Sequence, residues 1–118
     1  MVRFSLAQTQ VAVFRALAHP TRLRIVEILA TEGKKCVCEL VDRFVYNQST
    51  ISKHLSVLKS VGILNSTKDG LNVTYDLNMT CVYQFMKCIE QVESGLECAT
   101  PIACAGQMQL PARAREQE

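Results

Sequence analysis

The chain has 118 residues and a formal net charge of +2, from 13 basic and 11 acidic side chains. That length suits one domain, and the charge is too mild to imply a nucleic-acid partner by itself. A hydrophobic content of 48% with 20% charged residues is that of a globular protein and excludes disorder along the whole chain. No apolar run reaches the roughly 18 residues a membrane-spanning helix needs. The segment before Phe14 has neither a basic leader nor a continuous apolar core, so a cytoplasmic protein with no membrane partner is expected.

The elements follow in chain order. Leu6 to Ala18 reads as a helix, with Leu6, Val13, Phe14 and Leu17 as its apolar positions. His19-Pro20-Thr21 breaks it, because proline disfavours helix at the residue before it and suits the start of the next helix. Thr21 to Ala30 is the second helix, stopped by Gly33. Cys38 to Phe44 is a short third helix, and Gln48 to Val61 a fourth, in which Ile51, Leu55 and Leu58 form one apolar stripe. Ile63–Lys68 and Val73–Leu77 read as strands joined around Asp69-Gly70, a pair that favours a tight hairpin. Val73, Tyr75 and Leu77 alternate with Thr74 and Asp76, so one strand face is buried. A last helix runs from Met79 to Glu93.

This order, α-α-α-α-β-β-α, predicts a mainly α fold with a β-hairpin, of winged helix-turn-helix type. Residues 1–95 are expected to form that domain. Residues 96–118, which contain Pro101, Gly106, Pro111 and a charged terminus, are expected as a flexible, cysteine-containing tail.

On the helix Gln48–Val61 the apolar stripe fixes which side packs. At about 100° per residue, the opposite face carries Ser49, Lys53, Ser56 and Ser60, flanked by Gln48 and Ser52. Short hydroxyl and amide side chains let a helix approach base edges in the major groove. Lys53 and Lys59 are placed to meet phosphates, and no acidic residue between Asn47 and Thr67 opposes them. His54 lies at the edge of the stripe, where contact with DNA and packing within the domain are equally open. Lys68 and Asn72, at the hairpin tip, can reach a neighbouring groove or phosphate.

These residues carry a family resemblance. Leu17-Ala18-His19-Pro20-Thr21-Arg22-Leu23-Arg24-Ile25, Cys36-Val37-Cys38-Glu39-Leu40, Gln48-Ser49-Thr50-Ile51-Ser52-Lys53-His54-Leu55 and Gly62-Ile63-Leu64 together resemble the ArsR/SmtB family of metal-sensing repressors. The resemblance covers about Leu6 to Ile89. It implies a homodimer joined through its first and last helices. Each subunit would read half of an inverted-repeat operator in double-stranded DNA, and inducer binding would release it.

Six cysteines, at 36, 38, 81, 88, 98 and 104, make up about 5% of the chain, below the roughly 8–10% of disulfide scaffolds. With no export signal they are expected to be mostly reduced thiols, which points to metal, metalloid or redox chemistry. Within a regular helix, residues i and i+2 point about 200° apart and cannot share a small ion. At a junction between extended chain and helix they can, and Cys36 and Cys38 fall at such a junction. The helix start and the neighbouring Lys34 and Lys35 are expected to favour thiolate. Thiolates select soft, thiophilic ions: trivalent arsenic or antimony, Cu(I), and d¹⁰ ions including Zn²⁺.

The resemblance implies that Cys-Val-Cys-Glu-Leu marks the third-helix thiolate site of arsenite/antimonite or cadmium/lead sensors. The arsenite version commonly has another cysteine where this chain has Val41, and the cadmium/lead version draws cysteines from an N-terminal arm that here has none. The third ligand must then come from elsewhere, with Cys98 and Cys104 of the tail as candidates. Cys81 and Cys88 lie seven apart on one helix, about 10.5 Å along its axis, and are expected to pack rather than ligate. The last helix has no histidine, which sets aside the family's zinc and nickel sites.

The expected function is therefore repression relieved by arsenite or antimonite, with no permanent cofactor. Cd²⁺ or Pb²⁺ is the alternative inducer, and a redox or persulfide switch the alternative chemistry. The chain has neither a Cys-x-x-Cys in a βαβ setting nor a nucleophile–base constellation, so an enzyme is not expected.

Overall fold

A computed structural model describes residues 2–95 of the chain, residues 2–7 by their backbone only. Along these residues run α1 (Val2–Leu17), α2 (Pro20–Glu32), β1 (Lys35–Cys36), α3 (Val37–Val41), α4 (Gln48–Ser60), β2 (Leu64–Asp69), β3 (Asn72–Leu77) and α5 (Thr80–Glu93). The order is that of a winged helix-turn-helix, and the helices and hairpin fall within a few residues of their expected limits.

Local chemistry sets the helix limits. His19, extended at φ −157° and ψ 130°, caps α2: its Nδ1 accepts the Thr21 N–H at 3.1 Å, and Pro20 follows at the first helical position. Gly33 ends α2 at φ +86° and donates its N–H to the Leu29 carbonyl at 3.1 Å. Asn47 caps α4, its Oδ1 accepting the Thr50 N–H at 3.0 Å. Gly62, at φ +88°, turns the chain after α4 so that the Ile63 N–H reaches the Leu58 carbonyl at 3.0 Å.

The α4 stripe of Ile51, Leu55 and Leu58 is fully buried against Ile25, Val26 and Ile28 of α2, Leu40 of α3, and Ile63 and Leu64. Each such side chain contributes about 1.5–3 kcal/mol when removed from water. This shared core fixes α3 and α4 relative to each other and leaves the opposite side of α4 exposed.

Two differences from the sequence reading concern the α3 region. First, α3 is shorter at its C-terminal end than the expected Cys38–Phe44. After Val41 the chain tightens into turns, with N–H groups of Arg43 and Phe44 donating to the Leu40 and Val41 carbonyls. Arg43 there forks onto Glu32 of α2, at 2.8 and 2.9 Å. Arg43, helped by Lys35, holds the Glu32 carboxyl down to about 2.

Second, an unexpected strand precedes α3. The hairpin is not two-stranded: β1 pairs antiparallel with β3 (Lys35 opposite Tyr75, Cys36 opposite Thr74), giving the sheet order β1-β3-β2. In the β2–β3 hairpin Asp69 faces Asn72, so Gly70 and Leu71 form the loop. Gly70, at φ +65°, occupies the first loop position of a tight turn whose twist matches the strands. No described helix is long and apolar enough to cross a membrane.

Candidate nucleic-acid interface and thiol site

The exposed side of α4 carries Gln48, Ser49, Lys53, Ser56, Lys59 and Ser60, with Ser52 half-buried at its edge. Thirteen residues long, α4 presents this face without an acidic side chain. Lys68 and Asn72 are exposed on β2 and β3 beside the hairpin loop, as expected. Leu71 at the tip is 99% exposed, an apolar side chain at the outermost point of the wing that the sequence reading did not single out.

His54 is drawn inward. Its Nδ1 accepts a hydrogen bond from Arg22 Nε at 3.1 Å, and its ring lies 4.5 Å, centroid to centroid, from that of His19. Arg22 also donates to the Ala16 carbonyl at 3.3 Å. One polar group thus ties α1, the α2 cap and the middle of α4. Partial burial, then the neighbouring His19 and Arg22, push the His54 pKa down.

The two nearest cysteines meet at the β1–α3 junction. Cys36 is the residue that caps α3, extended at φ −83° and ψ 166°, and Cys38 is the second residue of α3. This is the irregular backbone on which an i, i+2 pair can face one ligand. Glu39 fixes the junction by accepting the Cys36 N–H on its carboxylate at 2.9 Å.

One expectation is corrected here. The helix start was to favour thiolate, yet the Cys38 thiol is pushed up. Its hydrogen bond with the Cys36 side chain comes first among the causes, followed by burial and the charge that Cys36 would carry. Sharing one proton between two sulfurs outweighs a helix of only five residues. Lys35, expected beside the thiols, lies 3.4 Å from Glu32 instead.

The thiols open on a cavity of about 160 Å³. Val37, Leu71 and Val73 form apolar walls, and the amide side chains of Gln48 and Asn72 complete it. The site therefore touches the first residue of α4 and the wing together. Pairing of Cys36 with Thr74 of β3 adds a backbone link to the wing. A two-residue strand is too short to give an alternation signal, so this link was invisible in the sequence.

Among the described residues no group of three or more His, Cys, Asp or Glu side chains converges. Cys81 is half-buried and packs against the core, as expected. Cys88 is disulfide-bonded, an exception within the expectation of mostly reduced thiols. Cys98 and Cys104 lie outside the described residues.

A second surface lies on α1 and α5. Phe14, Ile89 and Val92 are 59%, 53% and 60% exposed, and the Phe14 and Phe85 rings meet edge to face at 6.3 Å. Beside them a cavity of about 330 Å³ is lined by Leu17, Leu23, Phe85 and Met86 among others. Exposed apolar area of this kind marks an interaction surface or a ligand-binding groove.

Comparison with known proteins bears on both surfaces. Residues 19–66 match the family described as "Bacterial regulatory protein, arsR family". An uncharacterized HTH-type transcriptional regulator of Methanocaldococcus jannaschii is 36% identical over 80 residues, 68% of this chain and 90% of that protein. A homolog of the cadmium resistance transcriptional regulatory protein CadC, from Staphylococcus aureus, is 37% identical over 75 residues, 64% of this chain. An arsenic resistance transcriptional regulator of Pseudomonas putida is 42% identical over 66 residues, 56% of this chain. The matches span only 62% and 52% of those two proteins. Among solved structures, the homodimeric winged helix-turn-helix DNA-binding domain of a possible ArsR-family regulator from Mycobacterium bovis superposes with a TM-score of 0.68 at 26% identity, over 78% of this chain and 84% of that one. With this architecture, this core and these relatives, the chain is a transcriptional regulator of the ArsR family, not an enzyme.

Proposed function

We propose that the protein is a cytoplasmic homodimeric repressor that leaves an inverted-repeat operator when arsenite or antimonite binds Cys36 and Cys38. The observation that carries this reading is the cavity that the two thiols share with Gln48 of α4 and Asn72 of the wing. A bound ion there changes the packing between the two elements that approach DNA. Gln48, Ser49, Ser52 and Ser56 read base edges. Lys53, Lys59 and Lys68 meet phosphates, Asn72 contacts the adjacent groove, and His54 positions α4 through Arg22 while lying next to the reading face. The apolar surface of α1 and α5 is the dimer interface. One of Cys98 and Cys104 supplies the third thiolate.

The arsenic-resistance relative supports the metalloid. The cadmium-resistance relative keeps Cd²⁺ and Pb²⁺ as rivals of the same thiol chemistry. The disulfide at Cys88 favours a second reading, thiol redox control.

The test is fluorescence anisotropy of the reduced full chain on its own promoter DNA, titrated with arsenite, antimonite, Cd²⁺ and Pb²⁺. Release by arsenite that is lost in the Cys36→Ser/Cys38→Ser variant supports the reading. Release by Cd²⁺ or Pb²⁺ alone moves the inducer to the rival ions. Release only by oxidant, reversed by a thiol reductant, moves it to redox control.

A further inference from the structure

Arg22, in the first turn of α2, bonds to two other helices at once. Its Nη1 donates to the Ala16 carbonyl at 3.3 Å, and its Nε donates to His54 Nδ1 at 3.1 Å. Ala16 is next to last in α1, so its carbonyl is among those an α-helix leaves without a helical partner. A permanent cation also suits that helix end. His54 stands near the middle of α4.

The bond to His54 fixes the state of the ring. Arginine donates and never accepts, so the Nδ1 it meets carries no proton, and the neutral ring holds its proton on Nε2. Burial, then His19 and Arg22, favour that neutral ring. His19 is fixed in the same form, because its Nδ1 accepts the Thr21 N–H at 3.1 Å. The two rings pack 4.5 Å apart.

Val13 and Leu17 of α1 also pack on the core. Apolar packing has no preferred direction, whereas a planar guanidinium with two bonds fixes both distance and orientation. In a dimer that geometry is magnified. Half-sites lie about 34 Å apart, so each reading helix sits roughly 17 Å from the two-fold axis. At that radius a tilt of about 5° moves it by about 1.5 Å, close to half the rise of one base pair.

We propose that Arg22 is a positioning residue for operator binding: by bonding the end of α1 and the middle of α4 together, it sets the separation of the two reading helices in the dimer. The inference deepens the reading of α1 and α5 as the dimer interface and of α4 as the helix that reads DNA, and it rests on that reading.

The experiment uses the reduced full chain and fluorescence anisotropy on three duplexes: the promoter operator, the same operator with one base pair added between its half-sites, and a scrambled duplex of equal length. Circular dichroism verifies folding and sedimentation verifies the dimer. Arg22→Lys keeps the charge but cannot make both bonds. It is expected to hold the scrambled duplex within about twofold, because the charge is kept. Its operator affinity is expected to fall roughly tenfold, the scale of one hydrogen bond from a charged donor, and its discrimination against the added base pair to shrink. His54→Leu, which removes the acceptor and leaves Arg22 in place, is expected to do the same. The double variant Arg22→Lys/His54→Leu is expected to be no worse than either single one, since all three break one link. His54→Gln, which keeps an acceptor, is expected to retain the discrimination. Ring nitrogen shifts of the parent are expected to show the His54 proton on Nε2.

A proton on Nδ1 of His54 in the parent overturns the link, even where a variant fails to fold. Equal losses on the operator and the scrambled duplex overturn it, as do unchanged discrimination in the folded single variants or additive losses in the double one. Loss of the dimer in Arg22→Lys makes Arg22 an assembly residue and overturns it too. If the parent is monomeric on the operator or does not distinguish the two spacings, the dimeric inverted-repeat reading has itself failed, and this inference falls with it.

Discussion

Asn47 offers a way to separate the stability of the reading helix from its electrostatics. Its Oδ1 accepts the Thr50 N–H at 3.0 Å and the Ser49 hydroxyl at 3.1 Å, at the start of α4. Asn47→Ala leaves the Thr50 N–H to water, a loss of about 1 kcal/mol for a cap of this kind. For a domain of this size, that lowers the melting temperature by roughly 4–8 °C. Asn47→Asp keeps an accepting oxygen and adds a negative charge that suits a helix N-terminus. It should therefore melt close to the parent. That same charge stands at the end of the face proposed to meet phosphates, so operator affinity should fall for Asn47→Asp and stay near the parent for Asn47→Ala assayed well below its transition. Melting is followed by circular dichroism at one protein concentration, since dimerisation makes the midpoint concentration-dependent. Operator binding is followed by anisotropy. Equal melting temperatures for Asn47→Ala and the parent would falsify the capping argument. Equal operator affinities for Asn47→Asp and the parent would remove α4 from the DNA surface.

The other expectations concern charge, assembly and pH. Lys53→Ala should weaken binding to all duplexes alike and reduce the slope of log affinity against log salt by about 0.9; an unchanged slope places Lys53 away from phosphate. Phe85→Glu, on the α1–α5 face, should shift the protein to monomer in sedimentation and cut operator affinity with it, and a dimer that persists would move the interface elsewhere. His54 has a folded pKa below its usual 6.5 because of burial, His19 and Arg22. Folding therefore favours the neutral ring, and its contribution is complete above pH 6.5 and declines as pH falls from there towards the folded pKa. The urea midpoint should accordingly fall on acidification through that window. His54→Gln, which keeps an acceptor for Arg22 without titrating, should flatten the fall, and an equally steep curve would exclude His54 as its source.

Much of the architecture was legible because it rests on local rules. The Ile51, Leu55, Leu58 stripe, the His19-Pro20 break and the glycines after α2 and α4 act through neighbours in sequence, and each reappears in the fold as a buried face or a helix end. The i, i+2 spacing of Cys36 and Cys38, at the start of a helix, was likewise enough to identify a candidate chelating pair. What the sequence alone could not determine is what those thiols face. β1 exists only because Lys35 and Cys36 find Tyr75 and Thr74, some forty residues away, and two residues carry no periodicity of their own. The upward shift at Cys38 depends on how two sulfurs share a proton, which spacing does not specify. Leu71 reads as one more turn residue until the hairpin folds over the α3 junction and makes it a wall of the thiol cavity. Local patterns were enough for the helices, the wing and a candidate thiol pair. Tertiary structure decided its surroundings, because contacts between distant segments depend on the global packing and leave no local pattern to read.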